Sequence, residues 1–154
     1  MHARSLLLSA VLAAASCVPS FCLAAEKAPV ENASLNQTIA AALDASAAAW
    51  TRGDLDDFMR LYEDSPQIRY INPEGMTEGY AGIRQMYGAR FAKGEPMGEL
   101  SIALIDVKQV GPDYAFVTGR FTLKQASGGV ATGLTTLLFH RAQGQWRIVS
   151  DHTS

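Results

Sequence analysis

The sequence predicts an α+β domain, with helices first and an antiparallel sheet after them. Three observations predict it. Apolar residues recur every three to four positions through the first part of the chain, four long strand-like runs fill the second part, and only short glycine-bearing turns join those runs. At 154 residues, 48% hydrophobic and 18% charged, the chain has material for one globular domain with a core of its own.

The first 25 residues stand outside that domain. A basic start, MHARS, leads into an apolar run broken by Ser, Cys and Pro, and CLAAEK then offers small residues at a cleavage point. This reads as a secretory signal peptide over residues 1–25, which places the mature protein in the periplasm or outside the cell. An uncleaved anchor fits less well, because the run is short and Pro19 breaks it. A lipoprotein signal ending at Cys17 also fits less well, since Ala14 stands where an aliphatic residue is usual.

Residues 26–33 read as a short polar linker, and the domain is expected over 34–154. Leu35, Ile39, Leu43, Ala47 and Trp50 mark one face of a first helix, with Ser34 as its N-cap and Gly53 as its stop. Asp54 suits the cap of a second helix, with Asp56 and Asp57 in its first turn and Leu55, Phe58, Met59 and Tyr62 on its apolar face. Ser65-Pro66 ends it. QIRYIN is a short strand, NPEG a turn, and a third helix follows with Ile83, Tyr87 and Phe91 on one side. The four long strands end at Gly111-Pro112-Asp113, at Ser127-Gly128-Gly129, at Gln143-Gly144 and at the last residues. Turns this short make an antiparallel meander. Bulky side chains fall on both parities of these strands, so both faces of the sheet need cover: helices on one, a second copy of the chain on the other.

Composition excludes several classes of function. Both cysteines, Cys17 and Cys22, lie in the signal, so the mature chain has no disulfide, no thiol nucleophile and no cysteine-based metal centre. Arg4 is the one charged side chain of the signal; 12 basic and 15 acidic side chains remain, a formal charge of −3 without a basic stripe. Nucleic acid and an anionic membrane surface are therefore not expected as partners. Two histidines with no carboxylate at ligand spacing do not suggest a metal, and no cofactor is expected.

A helix ending in WTRGDLDDFMRLYED, then INPEG, then the glycine-led GYAGIRQMY, then strands ending in GQWRIVSDHTS, together resemble the nuclear transport factor 2-like superfamily, in particular its SnoaL-like and ketosteroid-isomerase-like bacterial members of unassigned function. The resemblance spans about residues 34–154. It implies a curved sheet wrapped around helices, a cone with a deep apolar pocket, and dimerisation through the sheet. It does not imply one function, because the superfamily holds isomerases, cyclases, dehydratases and non-enzymatic domains. In ketosteroid isomerases the base is an Asp just before the Pro of the strand-end turn; Asn72 stands there, and an amide cannot take a proton at neutral pH. The tyrosine and the late aspartate of their oxyanion hole would fall near Ser46 and Thr136, so all three positions depart from that pattern.

Candidate residues follow. His152 and His140 are the mature chain's two histidines, each either an acid–base group or a structural side chain. By strand alternation His152 shares a face with Ser150, Ile148 and Trp146, and Asp151 points the opposite way. Arg120, in mid-strand, clamps a carboxylate or enolate oxygen of a ligand, forms an internal salt bridge to Asp or Glu, or sits exposed on the outer face. Trp50, Tyr62, Tyr70 and Tyr87 are pocket lining or plain core, Thr136 joins them through the resemblance, and Asn72 either orients a ligand or holds its own turn. Three functions stay open: a small-molecule-binding module with weak or no catalysis, an isomerase, cyclase or dehydratase using a pocket histidine, and an assembly domain. Exported protein should begin near Ala25 or Glu26; N-terminal sequencing that returned Met1, or a lipidated Cys17, would overturn the signal reading.

Overall fold

The computed structural model describes residues 28–154 apart from position 95. The signal segment lies outside the described residues. Helix α1 (Ala28–Arg52) begins earlier than expected: most of the segment read as linker is its first turns, and Ser34 lies inside the helix, its carbonyl accepting from the Thr38 hydroxyl at 2.8 Å. Pro29 is tolerated because it falls in the first turn, where no intrahelical N–H bond is lost. Gly53, at φ 74°, ends the helix as expected. Its N–H bonds the Trp50 carbonyl and that of Asp54 bonds Ala49, a pair of closures that only a left-handed residue allows. Asp54 then caps helix α2 (Leu55–Met59), its carboxylate accepting from the Asp57 N–H at 2.9 Å.

Strand β1 (Arg69–Asn72) turns through Pro73-Glu74 into a second strand, β2 (Gly75–Glu78), where the sequence suggested helix directly. Helix α3 (Tyr80–Phe91) follows Gly79. The meander is as expected: β3 (Glu99–Gln109), β4 (Tyr114–Lys124), β5 (Val130–Ala142) and β6 (Gln145–Thr153) pair antiparallel in sequence order. The hairpin β1–β2 joins by a parallel pairing of β1 with β6, giving one six-stranded sheet in the order β2-β1-β6-β5-β4-β3.

One face of this sheet holds the helices. Ala115, Val117 and Leu123 of β4, Leu137 and Phe139 of β5, and Trp146 and Ile148 of β6 are buried against Leu35, Ile39, Leu43 and Trp50 of α1 and Ile83 of α3. Gly119 on β4 makes room for its neighbours: a Cβ there would stand 3.2 Å from Ile102. The opposite face stays open in the single chain, with Tyr114, Phe116 and Leu134 each more than 40% exposed. No helix among the described residues is long and apolar enough to cross a membrane.

Candidate functional site

The helices and the sheet do not meet everywhere. Between them lies a cavity of about 290 Å³, its walls drawn from α1, α2, α3 and five of the six strands. Trp50 enters from the last turn of α1, Phe58 from α2, Tyr62 from the segment after it, Tyr70 from β1, and Tyr87 from α3. These rings pack edge to face, as aromatic quadrupoles prefer: Trp50 and Phe58 at 5.4 Å and 62°, Phe58 and Tyr87 at 4.8 Å and 77°, Tyr70 and Tyr87 at 5.6 Å and 64°. The sheet supplies Leu100, Ile102, Phe121, Leu123 and Leu137.

One polar cluster interrupts this apolar lining. Asp151 is 6% exposed, and its carboxylate accepts from the Tyr62 hydroxyl at 2.6 Å, from Thr153 at 3.1 Å and from Thr135 at 3.3 Å. The Tyr87 hydroxyl stands 3.4 Å from that of Tyr62 and extends the cluster toward Tyr70. Burial pushes the Asp151 pKa up, and the three hydroxyl donors pull against it. Burial, and then the nearby Asp151 charge, push Tyr62 and Tyr87 well above the usual phenol range, so both remain donors. The arrangement can hold a polar atom of a buried molecule, or exchange a proton with it. Among the described residues no group of three or more His, Cys, Asp or Glu is placed to hold a metal ion.

The sequence-derived candidates divide cleanly. Trp50, Tyr62, Tyr70 and Tyr87 come together around the cavity. Five others do not reach it. Arg120 lies exposed on the outer face of β4, because the inward parity belongs to Ala115, Val117 and Gly119. Thr136 pairs with Thr118 and His152 on that same outer face. His140 is on the outer parity of β5, stacked on Tyr114 at 4.7 Å with its Nδ1 2.6 Å from Glu63. His152 is exposed. Asn72 is a turn residue: its Oδ1 accepts from the Glu74 and Gly75 N–H groups at 3.0 Å each, and it is absent from the cavity wall.

Asp151 was missed because strict alternation fails in β6. Leu138 pairs with Ser150 and Phe139 with Ile148, which leaves Val149 as an extra residue in a β-bulge. The bulge reverses the parity after it. Trp146 and Ile148 point inward, and so does Asp151, while His152 is turned outward. A cue was present in the sequence: regular alternation placed Asp151 and Val149 together on the opposite face from Trp146 and Ile148, and a single inserted residue puts Asp151 with the core set instead.

A family model described as the SnoaL-like domain matches residues 39–154. The chain belongs to the SnoaL-like domain family. Its solved neighbours include an NTF-2 like protein of unknown function from Shewanella oneidensis MR-1, 30% identical, with a TM-score of 0.73 over 78% of this chain and 98% of that one. A ketosteroid isomerase-like protein from Erwinia carotovora atroseptica SCRI1043 is 23% identical, with a TM-score of 0.59 over 77% and 93% of the two chains. A putative calcium/calmodulin-dependent protein kinase type II association domain from Thiobacillus denitrificans ATCC 25259 is 21% identical, with a TM-score of 0.63 over 74% and 91%. The last two share the fold with this SnoaL-like domain. No curated protein matches it. The nuclear transport factor 2-like cone expected from the sequence is the fold observed.

The buried carboxylate of this SnoaL-like domain has a consequence for stability. Because its folded-state pKa is raised, the folded protein binds the proton more tightly than the unfolded chain does. The associated stability is complete below about pH 3.9, the ordinary aspartate value, and is lost as the pH rises through the folded-state pKa. Asp151→Asn removes the titration. Melting temperatures measured across pH should therefore show wild type losing stability relative to Asp151→Asn as the pH rises through that window. Parallel curves would overturn the assignment.

Proposed function

We propose that this SnoaL-like domain is exported, binds a small and largely apolar molecule in its cone cavity, and holds one polar group of that molecule against Asp151, Tyr62 and Tyr87. The observation that carries the reading is the lining itself. A cavity of about 290 Å³ with six aromatic side chains in its wall and one buried polar cluster has the composition of a small-molecule site, in which apolar walls give affinity and a few fixed polar atoms give orientation.

A second reading is catalytic, and Asp151 favours it. A carboxylate whose pKa is raised by burial, beside phenols that remain protonated, suits proton transfer in an isomerase- or dehydratase-type reaction. In this reading Asp151 takes the role that the sequence suggested for His152 or His140. One experiment separates the two readings. Protein purified from its own host is analysed by native mass spectrometry, and the retained molecule is identified and returned to wild type and to Asp151→Asn. Under the binding reading the molecule is recovered unchanged, and Asp151→Asn weakens its binding about tenfold, one hydrogen bond to a charged group. Under the catalytic reading wild type converts it, and the variant is about 10²–10⁴-fold slower. A purified protein that retains no small molecule and binds none from a host extract would overturn both.

The outer sheet face supports a homodimer. Tyr114, Phe116, Leu134 and Val130 are exposed on β4 and β5, where a second copy could cover them. Light scattering should return twice the chain mass at micromolar concentration, and Phe116→Lys should return the monomer mass. A monomeric wild type would overturn the pairing.

A further inference from the structure

The cavity has a second charged side chain, and it is of the opposite sign to Asp151. Arg90, in the last turn of α3, is exposed to solvent and also lines the cavity, so it stands at the rim. Its guanidinium lies 4.9 Å from the centre of the Trp50 ring. Arg52, Arg60, Arg69, Arg84 and Arg141 each hold a carboxylate; among the described residues Arg90, like Arg120 and Arg147, pairs with none. A guanidinium held over the Trp50 ring keeps N–H groups with which it can donate to an anion. Arg90 also borders an adjoining surface hollow with Lys93, Pro96 and Met97, and the Met97 carbonyl accepts from the Trp50 indole at 3.2 Å. The rim is thus cationic and anchored to the same ring that walls the cavity.

Inside, the charge preference is reversed but already met. The Asp151 oxygens accept from Tyr62, Thr135 and Thr153, so the cluster can serve a hydroxyl or carbonyl without a charged partner. The cavity as a whole, at about 290 Å³, suits a chain or ring of about ten water-sized groups, at about 30 Å³ each. We propose that the ligand is an apolar carboxylic acid, bound with its carboxylate at Arg90 and a hydroxyl or carbonyl at its far end against the Asp151 cluster. The proposal rests on the cavity being a ligand site.

Three probes sharing a ten-carbon chain and a terminal hydroxyl, and differing only in the other end, test it: the terminally hydroxylated acid, the corresponding diol and the corresponding amino alcohol. Binding is read by calorimetry on the full mature chain. The acid should bind about tenfold more tightly than the diol, the increment of one charge-assisted contact. Arg90→Gln should abolish that preference, bringing the ratio of acid to diol affinity to about one. As an exposed side chain, Arg90 can be replaced without loss of the fold, which circular dichroism checks. If the diol or the amino alcohol binds as tightly as the acid, the ligand-site reading survives and the carboxylate proposal falls. If none of the three binds, both fall.

Discussion

The hydrogen bond from Tyr62 to Asp151 is the interaction on which the rest of the cone depends. It joins the segment after α2 to the last strand at 2.6 Å in a place where neither group meets bulk water. A buried carboxylate without donors would cost several kcal/mol. Here the cost is offset by hydroxyls from three separate parts of the chain, so their positions are coupled. The backbone follows the same seam: Leu61 and Glu63 exchange hydrogen bonds with Ile148 on either side of Tyr62. The helical layer is therefore pinned to the sheet both by these polar contacts and by the packing of residues such as Ile39 and Trp50. The cavity is the space these two attachments leave between them.

Much of the fold was legible in local chemistry. The caps at Gly53 and Asp54, the apolar stripe of α1 and the four-strand meander each follow from residue types at short spacing, where steric and hydrogen-bonding rules act directly. Strand β2 was not legible: GMTE lacks apolar alternation, and Met76 lies 57% exposed, because an edge strand with one covered side needs little hydrophobic pattern. The parallel pairing of β1 with β6 was not legible either, since it joins Arg69 to Ser150 across most of the domain. The site was legible in part. Aromatic residues on the inward helix faces must surround whatever the helices enclose. The polar member escaped because one extra residue, Val149, inverts the side on which every later side chain falls.

Strand parity also sorts the charged and titratable groups, with the bulge deciding only His152 and Asp151. Arg120, His140 and His152 stand outside, where water or a carboxylate such as Glu63 meets their needs. Asp151 alone among the ionisable side chains of the long strands is fully enclosed. An acidic group inside and a cationic side chain at the rim give the cavity a polarity along its length, and a molecule entering it meets one chemistry before the other.

The order of strands in the sheet bears on how the molecule assembles. β6 lies between β5 and β1, so the hairpin β1–β2, although made early in the chain, has no edge to join until the last strand has paired. Closing so long a loop is entropically costly, and topologies with such distant partners fold slowly. Until then, Tyr62 and Tyr70 wait with the helices, exposed, for the last strand of the sheet. A chain in that state presents an aromatic surface to water, and the closing of the cavity by β6 removes it.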